Sequence, residues 1–258
     1  MKKNSIKKTV LFCITIICLV FFSAPVCAHY PWINLSDYTP ETGSGIKMTI
    51  GWGHQYPLAG FLKKSSLETL EITGPEKTKL KFVSDLEIES QESISTPGAY
   101  IVAATRKPGF YTKTTQGGKR ASKEKLKNVI KCSFSHMCMK AIVNSGDGKG
   151  KVAAIVGHPM EIIPLKNPAD LRAGDYMPIR VLCNGKPFKG YVFATYAGFS
   201  TQKDTFAYTT KTNKKGNGKI RILKPGVWMI KASYEQHYPD EKVCDVESFI
   251  ATLTFEVN

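Results

Sequence analysis

The chain has 258 residues, of which 42% are hydrophobic, and 36 Lys and Arg against 21 Asp and Glu give a formal net charge of +15. Length allows one large or two small domains. The charge is spread over many lysines without an aromatic-interleaved basic patch, which argues against a nucleic-acid-binding protein.

Residues 1–8 carry Lys2, Lys3, Lys7 and Lys8 and no acid, and Val10 to Phe22 is an almost unbroken apolar run ending near Ser23-Ala24-Pro25. Val26 and Ala28 then occupy the small-residue positions read by a signal peptidase, so residues 1–28 are expected to be a signal peptide cut after Ala28 and the protein to be periplasmic. The alternative is an uncleaved anchor, because Thr9 to Val26 approaches the roughly 20 residues that span a bilayer. On the cleaved reading the remaining residues keep all 21 acids and all but four of the 36 basic side chains, a net charge of +11. Anionic envelope components, phospholipid or cell-wall polymer, are the expected neighbours of so basic an exported surface. Four of the seven cysteines follow the leader: Cys132, Cys138, Cys183 and Cys244. An even number in an oxidising compartment predicts two disulfides with three possible connectivities, the simplest being pairs within each half, Cys132 with Cys138 and Cys183 with Cys244.

Period-2 alternation predicts a half-buried strand from Ile46 to Trp52, with Gly53 turning the chain so that His54 sits at the strand end. Further strands are expected over Leu67–Thr73, Lys79–Ile88 and Ala99–Arg106, separated by Gly74-Pro75 and Thr96-Pro97-Gly98. Ser122 is placed to cap a short helix with Leu126, Val129 and Ile130 on one face and lysines on the other. His136–Val143 and Lys151–Val156 read as strands around the turn Ser145–Gly150. That turn lacks the spacing of a phosphate-binding loop. The prolines of Glu161–Pro168 suggest a connector, dividing an N-terminal β-rich domain (29–160) from a C-terminal one (161–258). Strand signals at Tyr176–Cys183, Tyr191–Tyr196, Thr205–Lys211, Lys219–Leu223, Val227–Tyr234 and Ser248–Val257 recur at the spacing of an immunoglobulin-like sandwich. The expected fold is all-β, two β-sandwich domains with one short helix in the first.

Several landmarks follow one another in a recognisable order: Ala28-His29-x-x-Trp32, Gly51-Trp52-Gly53-His54, Lys107-Pro108-Gly109-Phe110, Glu161-Ile162-Ile163-Pro164-Leu165 with Asn167-Pro168, Leu171-x-x-Gly174-Asp175, Val181-Leu182-x-x-Gly185-Lys186-Pro187, and Pro225-Gly226-Val227-Trp228. In them the chain resembles the periplasmic nickel-uptake substrate-specific components, many of which carry only a domain-of-unknown-function label and accompany nickel or cobalt transporters. The resemblance implies a non-enzymatic, two-domain β protein handling a divalent transition metal beside a membrane transporter. It matches the family's histidines to His29, His54 and His136. The family's Thr-Asp-x-x-Gly turn appears here as Thr212-Asn213-Lys214-Lys215-Gly216, and Cys132 and Cys138 look like additions.

If cleavage follows Ala28, His29 supplies an imidazole and a free α-amine, both of which lose their protons readily near neutral pH. His54 would make three nitrogen donors and His136 four. Such donors suit nickel, cobalt, copper and zinc alike, and the usual affinity order favours copper. A copper protein with an amine-and-two-imidazole brace, as carrier or redox enzyme, is therefore one alternative, and a structural sandwich protein held on the anionic envelope is another. His136 also lies in Cys132-x-x-x-His136-x-Cys138, where a disulfide is expected in preference to a Cys/His metal cluster. His158, in an extended Pro-containing segment, and His237, in a loop, are expected to be structural or exposed. No serine-nucleophile, zinc-protease or paired-carboxylate motif is present.

Overall fold

The computed structural model describes residues 29–258, and the signal peptide expected over residues 1–28 lies outside the described residues. The strands are β1 (Tyr30–Leu35), β2 (Lys47–Gly53), β3 (Gly60–Phe61), β4 (Leu67–Thr73), β5 (Leu80–Phe82), β6 (Glu87–Ser90), β7 (Gly98–Thr114), β8 (Gly117–Lys119), β9 (Val129–Ser145), β10 (Met160–Pro164), β11 (Tyr176–Cys183), β12 (Lys186–Pro187), β13 (Tyr191–Tyr196), β14 (Tyr208–Lys211), β15 (Asn217–Arg221), β16 (Gly226–His237) and β17 (Val246–Val257). The fold is all-β.

An eight-stranded sheet in the order β14-β13-β16-β17-β9-β7-β4, with β8 on the edge of β7, forms the middle layer. Its pairs are antiparallel except β17 with β9, which run parallel. Successive side chains of its central strands point to opposite faces, so one strand feeds two cores. Ala99, Ile101 and Ile142 join Met160, Ile162, Ile179, Val181, Trp228 and Phe255 under the small sheet β10-β11-β12, to which β15 adds. Tyr100, Val102, Met139 and Val143 face the other way, onto Ile33, Ile50 and Ile88 of the sheet β1-β2-β6-β5. Two sandwiches result, the C-terminal one immunoglobulin-like in its face-to-face antiparallel sheets, and the eight-stranded sheet is common to both. The connector expected over 161–168 begins instead as a strand, β10, paired to β11 through Met160↔Cys183.

The short helix expected after Ser122 is absent. Lys123 donates its N–H to the Val243 carbonyl at 3.0 Å and its ammonium to Asp245, while Asn128 adopts φ +56° to lead into β9. A helix this short is not stable alone, and these tertiary bonds outweigh its propensity. Lys79–Ile88 is a hairpin of β5 and β6 rather than one strand. Lys151–Val156 is irregular, because Glu161 draws the end of that segment inward, accepting from Val156 N at 2.8 Å and Gly157 N at 3.2 Å. The same carboxylate meets Lys140 at 2.9 Å in an ion pair with side chains 2% and 1% exposed.

The expected disulfides within each half are also corrected. Cys132 and Cys138 lie on one strand, and six residues of strand span about 20 Å, well beyond a disulfide's reach. Cys132 bonds to Cys244 across 112 residues of sequence, with Cα atoms 5.0 Å apart. Cys138 and Cys183 are free thiols, and burial pushes that of Cys138 up to about 12.

Candidate metal centre

The pairing of β1 with β2 runs from Leu35↔Met48 to Tyr30↔Gly53. One step further along that antiparallel register places His29 opposite His54. Two devices hold β1 there. Thr252 and Thr254 of β17 donate their hydroxyls to the carbonyls of Pro31 and Ile33, each at 2.8 Å, satisfying the edge of β1 that faces away from β2. Gly51 lets the buried Trp32 ring lie across β2, since a Cβ there would stand 2.2 Å from the indole.

The His29 and His54 rings meet with centroids 4.3 Å apart, tilted by 48°. Trp52 walls the pair, its ring stacked on His29 at 5.6 Å and 8°. Arg106 lies over Trp52 at 5.4 Å. Burial lowers the His29 pKa first, with His54 and Lys203 adding to the effect and Asp204 opposing it. A neutral imidazole is the ligating form, so this environment reduces competition from protons for a metal.

His54 is held from three sides. Its carbonyl accepts the Asp204 N–H at 2.8 Å and the Tyr30 hydroxyl at 3.2 Å, and Tyr30 presents its edge to the imidazole. Its Nδ1 lies 3.0 Å from Asp204 Oδ2. That contact is off the ring's N–H direction and acts as an electrostatic tether, leaving Nδ1 buried without a well-aligned hydrogen bond. Asp204 takes φ +52°, a conformation that Asp and Asn tolerate better than other side chains, and its second oxygen is 3.9 Å from Lys231. Lys231 in turn lies 4.0 Å over the Tyr30 ring.

The structure brings His29 and His54 together and does not bring His136 to them. On β9, Met137 faces Tyr30 and Trp32, so the adjacent His136 points through the opposite face. There it stacks on Phe249 at 4.9 Å and 8°, with Nε2 3.0 Å from Glu247 Oε1. His158 is half-buried beside Glu161 and Lys140, and burial pushes its pKa down to about 4. His237 is exposed. Among the described residues no three His, Cys, Asp or Glu side chains gather at metal-binding distance. The imidazole pair therefore offers two donors, and an α-amine on His29 would be the third. Asp204 carries no mark in the sequence: it follows Ser200-Thr201-Gln202-Lys203 in what reads as a polar loop, and only the tertiary fold brings it to His54.

Residues 26–236 match the model of a domain of unknown function, DUF4198. The chain belongs to that family. No curated protein matches it. Among solved structures it is similar to the D0-D1 domain of intimin (12% identity, 86% of this chain and 96% of that one, TM-score 0.23). It is similar also to titin domains Z1Z2 in complex with telethonin (10%, 88% and 96%, TM-score 0.19) and to the Yersinia pseudotuberculosis adhesin InvE (10%, 89% and 58%, TM-score 0.21).

Proposed function

We propose that this DUF4198 protein is an exported, non-enzymatic metal-binding accessory to nickel or cobalt uptake, which holds a divalent ion between His29 and His54 before passing it to a membrane transporter. The observation that carries the reading is the meeting of the two imidazoles at the residue expected to begin the mature chain. Two imidazoles bound cis to one ion, with metal–nitrogen distances of about 2.0 Å, put their centroids roughly 4.4 Å apart. The observed 4.3 Å is close to that value. Trans imidazoles, as in a linear copper brace, need about 6 Å, so the pair favours cis ligation over the brace. Nickel and cobalt, rather than copper or zinc, rest on the resemblance to nickel-uptake components, since nitrogen donors do not choose among these ions.

Nickel titration by calorimetry tests the reading. The protein is expected to bind one nickel more tightly than a free peptide beginning His-Tyr does, and His54→Ala is expected to reduce the affinity to that of the peptide. Binding no tighter than the peptide's overturns it.

A further inference from the structure

A bulge between Arg106 and Gly109 shifts the register of β7 on β9, and beyond it the two strands continue as a ribbon closed by β8 and the segment 120–128. Residues 107–131 hold eight basic side chains and one acid, Glu124, a net +7 of the +11 carried by residues 29–258. A tenth of the chain thus holds most of its excess charge. This corrects the expectation of a charge spread evenly along the chain: the excess is concentrated in one segment, which the structure builds as a ribbon rather than a helix.

Asp245 pairs with Lys123 and Glu235 pairs with Lys131. Lys107, Lys113, Lys119, Arg120, Lys125 and Lys127 have no carboxylate within ion-pair distance among the described residues. Lys113 stands directly opposite Lys131, and like charges in that relation destabilise a sheet. Burial lowers the pKa of Arg106, and the nearby Arg120 guanidinium adds to the effect. Set among these cations are two large exposed side chains, Tyr111 at 51% and Ile130 at 56%. Strand parity aims the ribbon. Lys131 shares its side of β9 with Met137, which packs on Tyr30 and Trp32, and it reaches Glu235 on the side of β16 that carries Lys231. Lys113, opposite Lys131, and Tyr111, opposite Ser133, share that face with the histidine pair, whereas Lys119, opposite Thr112, points through the other, so basic side chains clothe both faces of the ribbon.

We propose that this ribbon docks the protein on an anionic phospholipid membrane, its lysines and Arg120 on headgroup phosphates and Ile130 and Tyr111 at the boundary of the acyl chains. The inference is independent of the metal reading. Charge complementarity selects an anionic surface, and the exposed apolar side chains select a lipid one. A soluble polyanion supplies phosphates but no apolar layer. A basic side chain near such a surface improves partitioning about fivefold, so a handful of unpaired cations suffices for peripheral binding.

The test is co-sedimentation of the protein, purified as its host processes it with its first residue read from the intact mass, on vesicles of phosphatidylcholine with or without phosphatidylglycerol. Binding is expected on the anionic vesicles, to fall steeply as salt rises from about 0.1 M to about 0.5 M, and to be absent on phosphatidylcholine alone. The triple variant K113E/R120E/K127E is expected to bind at least ~100-fold more weakly. Ile130→Ser, at unchanged charge, is expected to weaken binding several-fold. All three reversed residues are exposed, and a far-ultraviolet spectrum and melting curve matching the parent exclude misfolding as the cause. Equal binding to neutral vesicles, no binding to anionic ones, or binding that survives the triple reversal overturns the proposal. So does binding untouched by Ile130→Ser that soluble polyphosphate or duplex DNA competes away completely, which would identify a polyanion site.

Discussion

Replacing Asp204 by Asn isolates the electrostatic tether on His54. Asn keeps the side-chain shape and tolerates the φ of +52° at this position, so the N–H that reaches the His54 carbonyl at 2.8 Å stays in place. What is lost is the negative charge 3.0 Å from His54 Nδ1 and 3.9 Å from Lys231. A carboxylate behind a ligating imidazole fixes the ring's orientation, and removing such a partner typically costs 10- to 100-fold in metal affinity, about 1.4–2.7 kcal/mol. Nickel calorimetry on Asp204→Asn is therefore expected to show a dissociation constant raised 10- to 100-fold with little change in thermal stability. Asp204→Ala is expected to bind nickel as weakly and also to lose about 1 kcal/mol of stability, because Ala is strained at this φ. A dissociation constant for Asp204→Asn within threefold of the parent would refute the positioning role.

Three further outcomes follow from the geometry. Thr252→Val with Thr254→Val leaves the Pro31 and Ile33 carbonyls without their hydroxyl donors and is expected to cost about 1–3 kcal/mol per site in urea unfolding, loosening the strand that carries His29. Cys132→Ser with Cys244→Ser opens a loop of 112 residues, for which chain entropy gives a loss of up to about 4–5 kcal/mol; unfolding of the parent with and without reductant reads the same quantity. His158 has a folded pKa of about 4, below its ordinary value of 6.5, so the unfolded chain binds the extra proton. Its contribution is present above pH 6.5 and is lost as pH falls toward 4, on the order of 3 kcal/mol, and His158→Gln is expected to flatten that part of a pH–stability curve measured by denaturant titration.

Strand pattern made much of the fold legible. The alternation over Leu67–Thr73, Tyr176–Cys183 and Tyr191–Tyr196 predicts the strands found, because each buries one face and hydrophobic residues mark it. The misses have a common physical origin in long-range contacts. Tyr30-Pro31-Trp32 lacks polar alternation because both faces of β1 are buried, Tyr30 and Trp32 in one cluster and Ile33 in another, under contacts from residues more than 200 positions away. The helix after Ser122 gives way to bonds with residues 243–245. Cys132 finds Cys244 rather than Cys138 because a strand holds its own residues apart. At the candidate site, His54 is legible as the end of a strand and His29 as the residue expected after the leader, whereas excluding His136 requires knowing which face of β9 is which. That depends on the neighbour Met137 and on the parallel pairing with β17, neither of which composition or spacing reveals.

The central claim rests on His29 being a chelating terminus beside His54. Its most direct test is nickel calorimetry on two forms of the protein beginning at His29, one with a free α-amine and one with that amine acetylated. An α-amine and an imidazole on one residue act together only in the first form, so that form is expected to bind one nickel at least ~100-fold more tightly than the second, through an advantage that His54→Ala sharply reduces. Equal affinities for the two forms, or an affinity in the free-amine form that His54→Ala leaves unchanged, would contradict it.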